Sequence, residues 1–563
     1  MRKLLTFGWM LLAAGLAAAQ PPKIARDLKG NDATANVDVI VRFKVAPTEA
    51  HHQRIQKSGG ALKREMGFVK SGAYSLPASR LAELAADPDV EYISPDRPVY
   101  SSLTYAVPAV WADIAQKYGW DGTGIGVAVL DSYVKPSIPD LQNAAGTASR
   151  VVYSESFSKS GADNYGHGFH VSGILAGDGS SSIKANLPAV YRGIAPNATI
   201  IGLKVLDGNG AGTDSTVIAG IQRAIQLKNK YNIRVMNLSL GRPVWESYTQ
   251  DPLCQAVEQA WKAGIVVVVA AGNEGRNDTL GTNGYATITS PGNDPYVITV
   301  GAMKTVFTAT RSDDLIASYS SKGPSLIDHV VKPDLVAPGN RVVSTAMNSD
   351  LYKQYPANRI SGNSAGDYLM LSGTSMAAPM VSGAAALMLQ KDPTLTPDLV
   401  KARLMKTAGK AFPSYSVATD PTTGQTYTSQ YDIFTIGAGY LDIWAALSNG
   451  DVLPAGKTAR SPVAAYNAAD HNVHLVFASS IAWGDSIAWG SSIAWGTAVF
   501  LNGTSALWGS SAIWGTRGTQ GFSIAWGDSI AWGDSIAWGD SIAWGDSRNP
   551  ASESITLLVN GEK

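Results

Sequence analysis

A carboxylate, an imidazole and a hydroxyl occur in this chain in settings that suit nucleophilic catalysis. Asp131 closes the apolar run Gly-Val-Ala-Val-Leu at 126–130. His167 stands between Gly166 and Gly168, and Ser375 lies in Ser-Gly-Thr-Ser-Met-Ala-Ala-Pro at 372–379, at the mouth of an Ala-rich stretch. Each has a plainer reading by itself: an acid capping a helix, a histidine packed in a core, a serine as N-cap. Together they form a mechanism. A serine hydroxyl is a weak nucleophile at neutral pH and needs a base beside it. Histidine titrates close to working pH, and a carboxylate can fix its tautomer and stabilise the imidazolium.

Two further groups would stabilise a developing oxyanion. The helix expected after Ser375 begins with backbone N–H groups that lack partners. Asn273, in Ala-Ala-Gly-Asn-Glu-Gly at 270–275, offers a side-chain amide at the end of another apolar run. Its plainer reading is a turn residue among glycines.

These stretches resemble the Asp, His, Asn and Ser motifs of the subtilases, with Gly-Thr-Ser-Met-Ala-Ala-Pro the most specific of them. The resemblance covers about 122–408 and extends to Arg-Gly-Ile-Ala-Pro at 192–196, Met-Asn-Leu-Ser-Leu-Gly at 236–241 and Lys-Pro-Asp-Leu-Val-Ala-Pro-Gly at 332–339. The chain order of acid, base and nucleophile also agrees with that family. The resemblance implies a secreted serine endopeptidase with Ser375 as nucleophile, His167 as general base, Asp131 orienting the base and Asn273 in the oxyanion hole. It implies protein or peptide substrates whose backbone pairs with Gly210, Ala211 and Gly212 on one side and Ser239, Leu240 and Gly241 on the other, a β-augmentation mode. His170 matches a structural histidine of the family. Two departures stand beside the triad: Tyr133 where relatives carry Gly, and Phe169 where they carry Thr. They predict a reshaped cleft with every reacting group still present. Calcium occurs in many subtilases, but the loop at 178–182 shows no convincing ligand series, so no cofactor is required and calcium is left without a site.

The elements that must position these residues follow from apolar periodicity. Runs at 126–130, 199–206, 235–240, 265–271 and 296–300 read as strands, with helix-like segments such as 216–230 and 252–263 between them. Continuous apolar strands alternating with helices predict a parallel sheet covered on both faces. In such sheets functional groups gather at the carboxyl ends of the strands. The fold expected is α/β, a subtilisin-like three-layer sandwich with a parallel sheet. A small α+β unit precedes it, with strands at 37–43 and 90–93 and helices at 48–57 and 79–86. That unit resembles a subtilase propeptide, a transient inhibitor removed by self-cleavage.

At 563 residues the chain exceeds one core, and 16% charged residues with zero net charge give no reason to expect nucleic acid as a partner. Arg2 and Lys3, a short apolar run and Ala17-Ala18-Ala19 read as a secretory signal over 1–19. Residues 20–36 read as a disordered lead. Cys254 is the single cysteine, which excludes an intrachain disulfide; it is expected as a buried structural thiol. Near the other end, Ser-Ile-Ala-Trp-Gly-Asp recurs, and nine of the 15 tryptophans fall within 479–547. An even period keeps Ile, Trp and Asp on one face of an extended strand, so a β-rich repeat is expected. The division expected is 1–19 signal peptide, 20–103 propeptide, 104–450 catalytic domain, 451–478 linker, 479–547 repeat and 548–563 tail. The repeats are open to cell-surface or polysaccharide contact through exposed indoles, or to plain packing between rungs. A non-enzymatic reading, a catalytically impaired subtilase-fold surface protein that binds through its repeats, stands as the alternative.

Overall fold

The computed structural model describes residues 23–24, 28, 35–67, 70–95, 103–158, 164–187, 189–278, 282–306, 308–361, 367–420, 423–453, 457–467, 472–476, 558–559 and 561–562. The expected signal peptide and the Trp repeat lie outside these residues. The chain divides into two compact units, 1–99 and 100–563.

The first unit is built from β1 (Asn36–Phe43), α1 (Glu49–Lys57), β2 (Ala61–Met66), β3 (Ser71–Pro77), α2 (Leu81–Ala86) and β4 (Val90–Pro95). Its antiparallel sheet has the order β2-β3-β1-β4. Val39, Val41 and Phe43 alternate inward along β1 and close a small core with Ile55, Tyr74, Leu76, Val90 and Ile93. The strands β2 and β3 escaped the reading of the sequence. The first five residues of β2 are exposed and its apolar residues do not alternate, so no period-2 signal exists. The expected disordered lead also contributes structure: Lys23 and Ile24 bridge to Ile93, and Leu28 is buried in the core.

The second unit begins with α3 (Leu103–Ala109) and α4 (Ala112–Lys117). Then follow β5 (Gly126–Asp131), β6 (Val151–Ser156), α5 (His167–Ala176), α6 (Ser180–Lys184), β7 (Thr199–Lys204), α7 (Asp214–Tyr231), β8 (Ile233–Leu238), α8 (Pro252–Lys262), β9 (Val266–Ala270) and β10 (Ile298–Lys304). After these come β11 (Leu315–Ile316), β12 (Leu335–Pro338), β13 (Val342–Thr345), α9 (Asp350–Gln354), β14 (Arg359–Ser361), β15 (Asp367–Leu371), α10 (Thr374–Lys391) and α11 (Pro397–Thr407). All five strand runs read from the sequence are strands of one sheet, ordered β11-β10-β9-β8-β5-β7-β6, with β12 also on β10. Every pairing in it is parallel except β10 with β11.

Every residue of β5, β9 and β10 is buried. Side chains alternate across a sheet, so both faces must be covered. The helices α5 and α10 pack together over one set of strands, and α7 and α8 pack together over β5, β7, β8 and β9. This is the expected α/β arrangement. The helix α10 is apolar on all sides and buried along nearly its whole length, as a helix inside a large core must be.

Candidate active site

The sheet order decides where the chemistry falls. Strands β9, β8 and β5 are neighbours; Asn273 and Ser239 stand just beyond the carboxyl ends of β9 and β8, and Asp131 is the last residue of β5. The helices α5 and α10, which pack on each other, bring His167 and Ser375 from their first turns to the same edge.

Asp131 is fully buried, and its carboxylate accepts from His167 Nδ1 at 2.8 Å and 3.0 Å through its two oxygens. The Ser132 amide donates to the same carboxylate at 2.7 Å, while the Ser132 hydroxyl accepts from the Gly168 amide at 2.9 Å. One residue thus holds the Asp131 carboxylate and also the helix start that carries His167. The flanking glycines have steric causes. Gly166 takes φ +105°, where a Cβ would lie 2.4 Å from Ser349 Cβ, and a Cβ on Gly168 would lie 2.7 Å from the Ser132 carbonyl oxygen. Any side chain at 168 would push α5 off the loop that follows Asp131.

Ser375 Oγ donates to the Ser239 carbonyl at 3.2 Å, and Ser239 Oγ donates to the Ser375 carbonyl at 2.8 Å. The second bond has a cause in the sequence. Pro379 stands four residues on and has no N–H to give the Ser375 carbonyl, so the Ser239 hydroxyl takes that place. Ser239 Oγ in turn accepts from Asn237 Nδ2 at 3.0 Å, and Asn237 Oδ1 accepts from Ser382 Oγ at 2.8 Å. This buried network fastens the end of β8 to two turns of α10.

Asn273 Oδ1 accepts from the Thr374 amide at 2.9 Å and from Thr374 Oγ1 at 3.1 Å. With its oxygen so held, the side chain presents Nδ2 as donor at the mouth of α10, where the Ser375 amide also lies. Such a pair can share an oxyanion.

His170 is buried and its Nε2 donates to the carbonyls of Val342 and Leu369 at 3.1 Å and 2.9 Å. Burial pushes its pKa down to about 3, so it is neutral and serves packing. Cys254 is buried, its thiol directed at Asn293 Oδ1, and burial raises its pKa well above the usual thiol range.

The residues at 210–212 form a tight turn. The Ala211 carbonyl accepts from the Asp207 amide at 2.6 Å, and the Ala211 amide donates to Asp207 Oδ1 at 3.0 Å. Both main-chain groups of Ala211 are therefore engaged inside the turn. On the other side, Leu240 is buried and the Ser239 carbonyl is engaged by Ser375.

Of the two departures beside Asp131 and His167, Phe169 differs from the expected reshaped cleft. Phe169 is fully buried in the core, with Lys135 Nζ 5.8 Å from its ring centre. Helix α5 turns residue 169 inward, away from solvent. Tyr133 is half-buried and packs on the same core. Among the described residues, no three His, Cys, Asp or Glu side chains converge as a metal site would. The Asp178 carboxylate, in the loop considered for calcium, accepts from the Ser180 amide at 2.8 Å.

Reading the residue types missed Ser132, Asn237, Thr374 and Pro379 as parts of the site. Asn237 carried a usable signal: a polar amide inside an apolar strand must find partners.

Residues 122–439 match the model of the subtilase family. The chain is 36% identical over 383 residues to serine protease AprX of Bacillus subtilis (strain 168), covering 65% of this chain and 81% of that protein. It is 35% identical over 357 residues to subtilisin E of the same organism, covering 63% and 79%. An alkaline protease of Alkalihalobacillus alcalophilus is 34% identical over 328 residues, covering 58% and 70%.

Proposed function

The chain belongs to the subtilase family and is a serine endopeptidase, and on that premise we propose that Ser375 attacks the scissile carbonyl while His167 takes its proton. The observation that carries this reading is the buried Asp131–His167 bond at 2.8 Å. A carboxylate on Nδ1 holds the proton there and leaves Nε2 as the base. The Ser375 hydroxyl gives up its long bond to the Ser239 carbonyl and turns its proton to Nε2. A new bond forms between Oγ and the carbonyl carbon, and the oxyanion takes hydrogen bonds from Asn273 Nδ2 and the Ser375 amide. His167 then returns the proton to the leaving amine, which departs and leaves an acyl-enzyme. Water, deprotonated by the same imidazole, releases the acid.

The substrate is an extended protein or peptide backbone laid between 210–212 and 239–241. Because Ala211 and the Gly210 amide are engaged within that turn, the pairing on that side falls to the Gly210 carbonyl and to Gly212. The glycine at 210 lies against the ring of Tyr165, 2.7 Å from where a Cβ would stand, so that side admits no side chain of its own.

Residues 1–19 direct secretion, and the first compact unit acts as an inhibitor removed by self-cleavage before the catalytic unit works. The repeats contact a surface, or pack among themselves. The deciding experiment is casein hydrolysis by the purified chain and by Ser375→Ala, with the mass of each followed over time. Hydrolysis and loss of about ten kilodaltons from the amino end, an ordinary domain mass, are expected of the parent alone. Two inert, full-length proteins would favour the non-enzymatic surface protein, although the inward packing of Phe169 speaks for an open site.

A further inference from the structure

Residues 558–559 and 561–562, which follow the Trp repeat in the chain, pack closely on the catalytic unit. Leu558 is buried in the main core, Val559 and Glu562 are buried too, and hydrogen bonds hold the described residues. The Leu558 carbonyl accepts from the Ser372 amide at 2.8 Å, and the Val559 carbonyl accepts from Asn358 Nδ2. Asn340 reads the backbone of Glu562 in both directions: its Oδ1 accepts from the Glu562 amide at 2.8 Å, and its Nδ2 donates to the Glu562 carbonyl at 2.9 Å. Gly561 takes φ +59°, and a Cβ there would lie 2.3 Å from Ser372 Oγ, so only glycine fits.

The Glu562 side chain enters a cationic pocket. Its Oε1 accepts from Arg276 Nη2 at 2.9 Å, from the Ser318 amide at 2.8 Å and from Ser318 Oγ. Its other oxygen lies 3.6 Å from Lys304 Nζ. Arg276 is itself fixed by Ser318 Oγ, by Asp420 and by the face of Tyr427. A buried carboxylate met by two cations and a backbone N–H is a specific receptor for one acidic side chain. The contacts fall three residues from Asn273, at Arg276, and three residues from Ser375, at Ser372.

We propose that residues 558–559 and 561–562 form an intramolecular clamp, bound in a groove of the catalytic unit that selects a buried Leu, a glycine and a carboxylate. The chain leaves the same unit before the repeat through an equally fixed segment. Ser461 Oγ donates to Asp334 at 2.6 Å, and the main chain at 462–464 bonds to Val331 and His329. The repeat is therefore fastened to the catalytic unit at both flanks, and one cut within it does not release the C-terminal piece.

The test uses the full chain with Ser375→Ala, so that nothing digests itself, and with a recognition site for a specific protease inserted between residues 547 and 552. After cleavage and gel filtration, mass spectrometry of the catalytic fraction shows whether the C-terminal piece remains. Retention is expected in the parent, with loss in Glu562→Lys and in Gly561→Val. Uncleaved Glu562→Lys is expected to stay folded with a lower melting temperature, which separates loss of the clamp from loss of the fold. Loss of the piece from the cut parent, or its equal retention in Glu562→Lys, would overturn the clamp. Elution of the uncut parent as a dimer that becomes a monomer in Glu562→Lys would overturn the intramolecular assignment, because the groove would then hold the tail of a second copy.

Discussion

Replacing Ser239 by Ala removes one hydroxyl and leaves two buried groups short of a partner. The Ser375 carbonyl loses its 2.8 Å donor, and the Asn237 amide loses its 3.0 Å acceptor. Each buried polar group left unsatisfied costs about 1–3 kcal/mol, so the pair predicts about 2–6 kcal/mol. In a unit of this size 1 kcal/mol shifts a melting temperature by about 1 °C, so a fall of about 2–6 °C is expected. The structure also specifies the rescue. Pro379→Ala places an N–H four residues after Ser375, where a helix would ordinarily bond that carbonyl. In the parent the substitution is expected to change stability by less than about 1 kcal/mol, because the carbonyl is already bonded. In Ser239→Ala it is expected to return about 1–2 kcal/mol. The assay is thermal unfolding of the four chains at one scan rate, all carrying Ser375→Ala to prevent self-digestion; that change leaves the carbonyl in place. A fall below about 1 °C for Ser239→Ala, half the smallest loss expected, would refute the reasoning. So would a second fall, in place of a rise, when Pro379→Ala is added.

Asn273→Ala is expected to lower kcat by about 100- to 1,000-fold with KM little changed, as the loss of the proposed oxyanion donor requires; steady-state kinetics on a peptide amide checks this. Asp131→Asn is expected to lower kcat by about 10,000-fold through the wrong imidazole tautomer, with the fold intact by circular dichroism. Burial holds His170 at a pKa of about 3 against 6.5 for the free side chain. Below pH 6.5 the unfolded chain gains a proton that the folded chain refuses, so stability falls with pH by about 1.4 kcal/mol per unit until pH 3. His170→Gln, which keeps a donor near Nε2 and cannot charge, is expected to flatten that fall between pH 6.5 and 4.5 in thermal unfolding; an unchanged slope would remove His170 as its source. Asp334 is buried between Lys332 at 2.7 Å and Lys401 at 3.1 Å. Asp334→Ala leaves both cations buried without it and is expected to cost about 3–5 kcal/mol, read as a lower denaturant midpoint.

Local sequence pattern was enough to specify the sheet and to single out the candidate reacting groups. Five apolar runs, too continuous for one-sided strands, specified strands buried on both faces. Helical spacing filled the gaps, and Asp131, His167, Asn273 and Ser375 were marked by local settings of strand ends, glycines and an Ala-rich helix mouth. Tertiary structure decided what those local patterns cannot encode. Sheet order made β5, β8 and β9 neighbours, which is a fact of pairing between distant segments. It gave Ser239 a hydroxyl task through Pro379, 140 positions away. It turned Phe169 into the core, because the direction of a helical side chain depends on how the helix docks. It drew β2 from a segment without alternation, because an edge strand is held by its neighbour's backbone and not by its own apolar face. The docking of Glu562 beside Arg276 was equally beyond the sequence: a buried charge is stabilised by partners that only the folded chain assembles.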